Sequence, residues 1–458
     1  MATSRRVVVL SGGSAANNLV DVFDEVIQKN GCSLTYIIPI SDNGGSSSEL
    51  IRVFGGPGIG DIRSRLVRLI PPSHEHIRNL FNHRLAAMPE SGEAEFLTIL
   101  NGTSSLYDQI PAAQGMLIRS ILSHLYLEIL KRNRPPSSTF SFQSASIGNL
   151  FLTGARLFSG SFESAIYLLA TMGGVQEART SVLPAIVSNF SHHIAAGLEN
   201  GTIITGQNAI SHPSEPTALN QADLQDDYRY RNPLANGNDT TIEDANLPGS
   251  LPTLRKPNIA FSKVSEEPLP ARIERIWYIN PYGHEMLPPA NPKVLTSISS
   301  ADALIYSIGS LYTSIVPSLI LQGVGARISG PSGPRFKILI LNGSLDRETG
   351  NYAACDYLDA VTRACVQSQS ASAGSNPTAD RNEWRKYVTH LFYLEGDGVP
   401  FTDQNECTEY GIECVRLYGR KTTNGAVNYN ESALSQALCA ILGKREKGER
   451  SRRNTLLP

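Results

Sequence analysis

Short apolar runs broken by glycine-bearing polar stretches set the pattern at both ends of the chain. Val7–Leu10 ("VVVL") and Leu34–Ile40 ("LTYIIPI") have the length of buried strands, and between them lie "SGGSAANN" and the amphipathic "LVDVFDEVIQK". Strand, glycine turn, helix and a further strand make a βαβ unit, hence a parallel pair with a right-handed crossover. From Asp61 to Thr171 the period turns helical. "GDIRSRLVRLI" places Ile62, Leu66 and Leu69 on one face, "AAQGMLIRSILSHLYLEILKR" predicts a long helix, and "SIGNLFLTGARLF" and "SFESAIYLLATM" predict two more. "GTIITG" (201–206) reads as a strand. After residue 259 alternation resumes: strands at "RIWYIN", "ALIYSIG", "FKILILN" and "VTHLFYLEG", helices at "ANPKVLTSISSA", "NYAACDYLDAVTRACV" and "ESALSQALCAIL".

This pattern predicts an α/β fold: a Rossmann-like, doubly wound, mostly parallel sheet, interrupted by a helical block (61–171) and lengthened by loops. Residues 5–210 and 259–443 are expected to form one domain. The stretch 213–258, rich in Asn, Asp and Pro, is expected to be a disordered surface insertion, residues 368–382 a flexible loop, and 444–458 a solvated basic tail.

Composition narrows the class. With 41% hydrophobic and 18% charged residues and a net charge of −2, no global basic field recruits nucleic acid. No run reaches the roughly 20 apolar residues of a membrane span, and the start "MATSRRVVVLSGG" lacks a signal-peptide core. The six cysteines form no C-x-x-C pair, which argues for thiols in a reducing compartment. A cytoplasmic protein without nucleic-acid or membrane partners is expected, and a homodimer stays open as its assembly.

Four polar, glycine-bearing segments carry the candidate chemistry: Ser11–Asn18, Ser41–Ser48, Gly309–Ser314 and Asn342–Gly343, at least three of them directly after a strand. In open α/β sheets ligands sit in the crevice beyond the carboxyl ends of the strands. Glycines there allow close backbone approach, and a following helix offers free N–H groups to phosphate. "SGGSAANN" is neither a G-x-G-x-x-G fingerprint nor a Walker loop and is equally an ordinary strand-to-helix turn. "SDNGGSSS" is followed by a helical pattern, which disfavours an Asn-Gly hairpin. In "GGPGIGDIRSRL", Asp61 occupies a plausible N-cap. Arg63 and Arg65 in the first turn oppose the helix dipole, so either an anion lies nearby or this is a capped surface helix. Asp42 and Asp61 could hold Mg²⁺ against a diphosphate, act as a base, or simply cap helices. The pair His192-His193 lacks a further ligand at metal spacing and reads as caps or solvent-facing imidazoles.

Taken together these segments resemble the family that contains 2-phospho-L-lactate transferase and the bacterial gluconeogenesis factor (CofD-like). The similarity runs through "VVLSGGSAANNLV", "SDNGGSSSELIR", "GIGDIRSRLVRL", "SIGNLFLTGA", the "SVLP" region, "DALIYSIGSLYTSIVPSLILQGV" and "LNGSLDRETGNYAACDYLDAV". The resemblance implies either transfer of a phospholactyl group from a guanosine-diphosphate carrier with Mg²⁺, or binding of a UDP-sugar by a regulator without an established reaction. It implies that Gly12, Gly13 and Ser14 lie near the nucleotide, and that Asp42, Gly44, Gly45, Ser46 and Ser47 line the reacting end. Asp61 and Arg63 would close the crevice, while Gly309, Ser310, Leu311, Thr313 and Ser314 supply donors and Asn149 and Asn342 join the binding set. Two departures stand out: Asn43 replaces the family's second acid, and Ile308 stands where proline is frequent.

Overall fold

The computed structural model describes residues 5–13, 15–135, 139–211, 218–219, 251, 254, 268–421 and 427–443. The greater part of the 213–258 insertion, the 444–458 tail and Ser14 lie outside the described residues.

The first βαβ unit forms as its pattern requires. β1 (Arg6–Leu10) and β2 (Ser33–Ile38) pair in parallel, with α1 (Val20–Asn30) between them. Val7 to Leu10 are all buried, which is why the strand reads as a continuous apolar run rather than an alternating one. At roughly 1.5–3 kcal/mol for each large apolar side chain taken from water, such a strand is a nucleus of the core. β3 (Thr180–Pro184) adds beside β2.

The helical block connects β2 to β3. It comprises α2 (Gly45–Phe54), α3 (Gly60–Leu69), α4 (Glu75–Asn82), α5 (Pro89–Asn101), α6 (Ala112–Arg132), α7 (Ile147–Ser159) and α8 (Phe162–Met172). α7 is its axis: residues 147–156 are buried on every side, as expected for a helix apolar all round, and it packs on α2, α3, α4, α6 and α8.

A second sheet follows, made of β4 (His193–Leu198), β5 (Ile203–Thr205), β6 (Ala218–Leu219), β7 (Ile273–Ile279) and β8 (Glu285–Met286). Its order is β6-β5-β4-β7-β8, and it is antiparallel. The strand expected at "RIWYIN" therefore does not join the parallel sheet. Glu274, Arg275 and Trp277 alternate with the buried Ile273, Ile276 and Tyr278, the signature of a strand covered on one face. His193 also departs from expectation: it is buried within β4 and neither caps a helix nor faces solvent. His192 sits half-buried beside it, its Nδ1 3.0 Å from the Phe190 carbonyl.

The chain then returns to the parallel sheet with β9 (Ala303–Tyr306), β10 (Phe336–Ile340), β11 (His390–Tyr393) and β12 (Glu413–Arg416). The final order is β12-β11-β10-β9-β1-β2-β3, parallel throughout. A short antiparallel ribbon, β13 (Gly419–Lys421) with β14 (Val427–Tyr429), completes the strands. One apolar core joins both faces of the large sheet, the helical block and part of the second sheet. β1 and β9 are neighbours whose connections leave in opposite directions. That is the topological switch point, where a doubly wound sheet opens a crevice.

Candidate functional site

The crevice at the switch point is a cleft of about 490 Å³. Gly12 and Gly13 leave β1 into it, and Gly309 and Ser310 leave β9 into it. α2 begins at Gly45 on its rim, and α3 brings Asp61 and Arg63. Packing at the first loop explains its glycines: a Cβ on Gly13 would lie 2.2 Å from Asp61 Oδ1, and one on Gly12 2.4 Å from Ser314 Oγ. The β1 loop is thus clamped between the β9 loop and α3, and only a bare backbone fits.

Neither acid is a helix cap. Gly44 is the N-cap of α2, and Asp42 Oδ1 accepts from Gly44 N at 3.0 Å two residues before the helix. Ile59 occupies the cap position of α3, and Asp61 lies inside its first turn, where its carboxylate accepts from Gly13 N–H. Burial raises the Asp42 carboxyl, with the Gly44 N–H and the Arg63 charge pulling the other way. Burial first, and then the negative charge of Asp42, push Asp61 up to about 7. Two carboxylates that share a desolvated site cannot both ionise freely, so the pair is one proton or one cation short of comfort.

The arginines of α3 separate into two roles. Arg63 Nε donates to Asn149 Oδ1 at 3.1 Å and lines the cleft. Burial, with Arg84 adding, lowers it to about 10, so it remains a cation at neutral pH. Gly148 makes room for it, since a Cβ there would lie 2.9 Å from the Arg63 stem. Arg65 instead turns behind the loop, donating to Ala16 O, Ser11 Oγ and Gly12 O and lying 4.4 Å over the Tyr36 ring. Backbone carbonyls, not a ligand anion, account for its place at the start of a helix.

A family model described as 2-phospho-L-lactate transferase CofD matches residues 7–407. The chain belongs to the CofD family. Among relatives, an uncharacterized Saccharomyces cerevisiae protein is 38% identical over 428 residues, covering 90% of this chain and 95% of that one. The gluconeogenesis factor of Halalkalibacterium halodurans is 24% identical over 441 residues, 95% of each chain. In three dimensions the chain is similar to protein BH3568 of Bacillus halodurans, a UPF0052 family member, with a TM-score of 0.58 at 20% identity over 95% of this chain and 99% of that one. That likeness shows the α/β fold.

Of the residues the CofD motifs single out, Asp42, Gly44, Gly45, Ser46 and Ser47 line the cleft together. Asn149 Nδ2 donates to Ser46 Oγ at 3.0 Å, tying α7 to the start of α2. Ser310, Thr313 and Ser314 line the opposite wall. Two residues stand behind it. Asn342 exchanges both of its amide hydrogen bonds with the Gly309 backbone, at 2.9 and 3.0 Å, and so shapes the loop. Leu311 is buried in the core. Asn43 turns away, its Oδ1 accepting from Asn208 N at 2.9 Å. The acid it replaces is not needed for a pair, because Asp61 supplies the second carboxylate from another helix.

Sequence reasoning passed over Asn82 and Arg84 at the end of α4, and Gln207 and Asn208 of α9 (Gln207–Ser211), all of which reach the same cleft. It also passed over Glu348, buried beneath the β9 loop. The donor set of the cleft fits Mg²⁺: two hard carboxylate oxygens, from Asp42 and Asp61, left mutually repelling by burial, suit a cation that takes few protein ligands and completes its shell with water and phosphate. Among the described residues no cluster of three or more His, Cys, Asp or Glu could hold a metal, so a closed all-protein metal site is not the arrangement here. No helix among them is long and apolar enough to cross a membrane.

Proposed function

We propose that the cleft binds a nucleoside-diphosphate-linked donor, of the guanosine type, and that the protein transfers the phospho-linked group to an acceptor hydroxyl. The observation carrying this reading is the pair Asp42–Asp61 in a cleft lined also by both switch-point loops, Arg63 and Arg84. The Gly12 and Ser310 N–H groups and the open start of α2 hold phosphate oxygens, each charge-assisted bond contributing roughly 1.5–3 kcal/mol. Arg63 and Arg84 offset the charge of the phosphates. The acceptor oxygen forms its bond to phosphorus as the bridging P–O bond breaks, and the electron pair leaves on the nucleoside monophosphate. The acceptor's proton passes to the carboxylate pair. Mg²⁺ bound to Asp42 and Asp61 would supply charge neutralisation of the diphosphate.

Calorimetric titration with GDP and with UDP-N-acetylglucosamine, each with and without Mg²⁺, tests the reading. GDP binding that requires Mg²⁺ and weakens at least tenfold in both D42N and D61N is expected, a tenfold loss being about 1.4 kcal/mol. The relatives named gluconeogenesis factors motivate a second reading, a non-enzymatic sensor of a UDP-sugar. UDP-sugar binding that is indifferent to Mg²⁺ and to both substitutions would replace the transferase reading with that one.

A further inference from the structure

Thr313 faces the cleft from a wide helical turn, Leu311–Ile315, that follows the β9 loop. Behind it lies Glu348, 3% exposed, on the loop after β10. Its Oε2 accepts from Tyr312 N at 2.8 Å, and its Oε1 lies 2.6 Å from Thr313 Oγ1. Glu348 makes no part of the cleft lining, yet it fixes both a backbone group and a hydroxyl of the wall.

The second acid of that loop is held differently. Asp346 Oδ1 receives three donors, Glu348 N at 3.1 Å, Thr349 N at 3.0 Å and Thr349 Oγ1 at 2.7 Å. Three donors on one oxygen favour the ionised form. Glu348 Oε1, by contrast, meets a hydroxyl, which can either give or take a hydrogen bond. When the two acids share one proton, it belongs on Glu348.

The direction of the Thr313 hydroxyl follows from that proton. An ionised Glu348 can only accept, so Thr313 spends its one hydrogen on Glu348 and turns lone pairs toward the cleft, where they repel phosphate. A protonated Glu348 donates to Thr313 Oγ1, and the threonine hydrogen is free to point at a ligand oxygen. We propose that Glu348 is a proton-linked positioning residue of this cleft: it carries a proton while a diphosphate is bound, and through Thr313 it converts that wall from acceptor to donor. The inference rests on the diphosphate reading above.

The surroundings suit this role. Burial, and then the negative charge of Asp346, push Glu348 up to about 8. Tyr312 from the wide turn and Tyr357 from the helix Ala354–Gln367 are the other ionisable groups in electrostatic contact with it, and burial holds both neutral through this range. Arg347 precedes it in the chain and is half-buried. Tyr357 OH donates to Thr349 Oγ1 at 3.0 Å, and Tyr312 OH lies 3.1 Å from Tyr352 OH. The Asp346 end of the network is therefore braced by packed aromatic rings.

The test is titration calorimetry of the full chain with GDP and Mg²⁺ from about pH 7.5 to about pH 9, in two buffers of different ionisation enthalpy so that protons exchanged on binding are counted. Wild type should take up a proton at the upper end, and its affinity should fall by up to about tenfold per pH unit above about 8. E348Q keeps both contacts, its amide NH₂ donating to Thr313 Oγ1 and its carbonyl accepting from Tyr312 N–H. It should bind with affinity within about twofold of wild type near pH 7.5 and show neither proton uptake nor the decline. T313V should lose affinity and proton uptake together. No GDP binding by wild type at any pH would remove the diphosphate reading itself. GDP binding with the same pH profile in wild type and E348Q would overturn the role of Glu348 alone. Wild-type binding without proton uptake would overturn that role whether or not the variants fold.

Discussion

Replacing Asp61 with asparagine should stabilise the ligand-free protein at alkaline pH while removing its function. Asp61 is half-buried beside Asp42 and is pushed up to about 7 from an ordinary carboxyl value of 3.8. A carboxyl raised in the folded state favours folding fully below its unfolded value, and that contribution is lost as pH rises through the folded value. The shift is about three pH units, and at about 1.4 kcal/mol per unit it caps the loss near 4 kcal/mol. About half of that loss already lies below about pH 5.5, the charge on Asp42 supplies part of the shift and the loop can relax, so about 1–2 kcal/mol is the expected observable between about pH 5.5 and about pH 8.5. Asparagine keeps a carbonyl oxygen to accept from Gly13 N–H and cannot ionise. Urea unfolding of wild type and D61N in EDTA, near pH 5.5 and near pH 8.5, reads the difference. Relative to wild type, D61N should gain that roughly 1–2 kcal/mol between the two pH values. Glu348 has the same sign of pH dependence but is present in both proteins and cancels. A stability gap that does not change between the two pH values would refute the account of the pair.

Arg65 and Arg84 should separate cleanly. R65M strips partners from Gly12 O, Ala16 O and Ser11 Oγ and should cost about 3 kcal/mol or more in urea unfolding. R84M, on the exposed rim, should change stability by about 0.5 kcal/mol or less yet weaken GDP about tenfold by calorimetry. G13A places a Cβ 2.2 Å from Asp61 Oδ1. It should abolish measurable GDP binding with an unchanged far-ultraviolet circular dichroism spectrum, and retained affinity would show that the clamp on the β1 loop is not needed.

The parallel core and the long helices were legible because their signals are local. "VVVL" and "KILIL" are strands covered on both faces, and "AAQGMLIRSILSHLYLEILKR" spans α6 residue for residue. β7 was legible as a strand but the second sheet it joins was not, because an apolar run reports a strand but not its partner; the exposed Glu274 and half-buried Arg275 were the available clue. The glycine loops were legible as a set, since strand-end glycines converge wherever the sheet is doubly wound. Asp61 was legible as a candidate acid beside a glycine loop, with a helix cap left open as the alternative. The helix in fact starts at Gly60, whose missing Cβ admits the Asp42 carboxylate. Arg65 gave a local signal but not its role, since it is hidden behind the loop it braces, and Glu348 was passed over because it lies beneath a turn 35 residues earlier in the chain. Asn82 ends an ordinary amphipathic helix and Arg84 lies two residues beyond it, bridged to Ser146, and only the packing of α4 on α7 carries them to the cleft.

A crystal structure of the full chain with GDP and Mg²⁺ tests the central claim most directly. The account predicts the diphosphate at the β1–β9 switch point, within hydrogen-bond distance of the Gly12 and Ser310 N–H groups, with the cation between it and Asp42 and Asp61. A nucleotide seated elsewhere, such as the apolar groove beside Phe190, with the switch-point cleft holding only solvent, would contradict it.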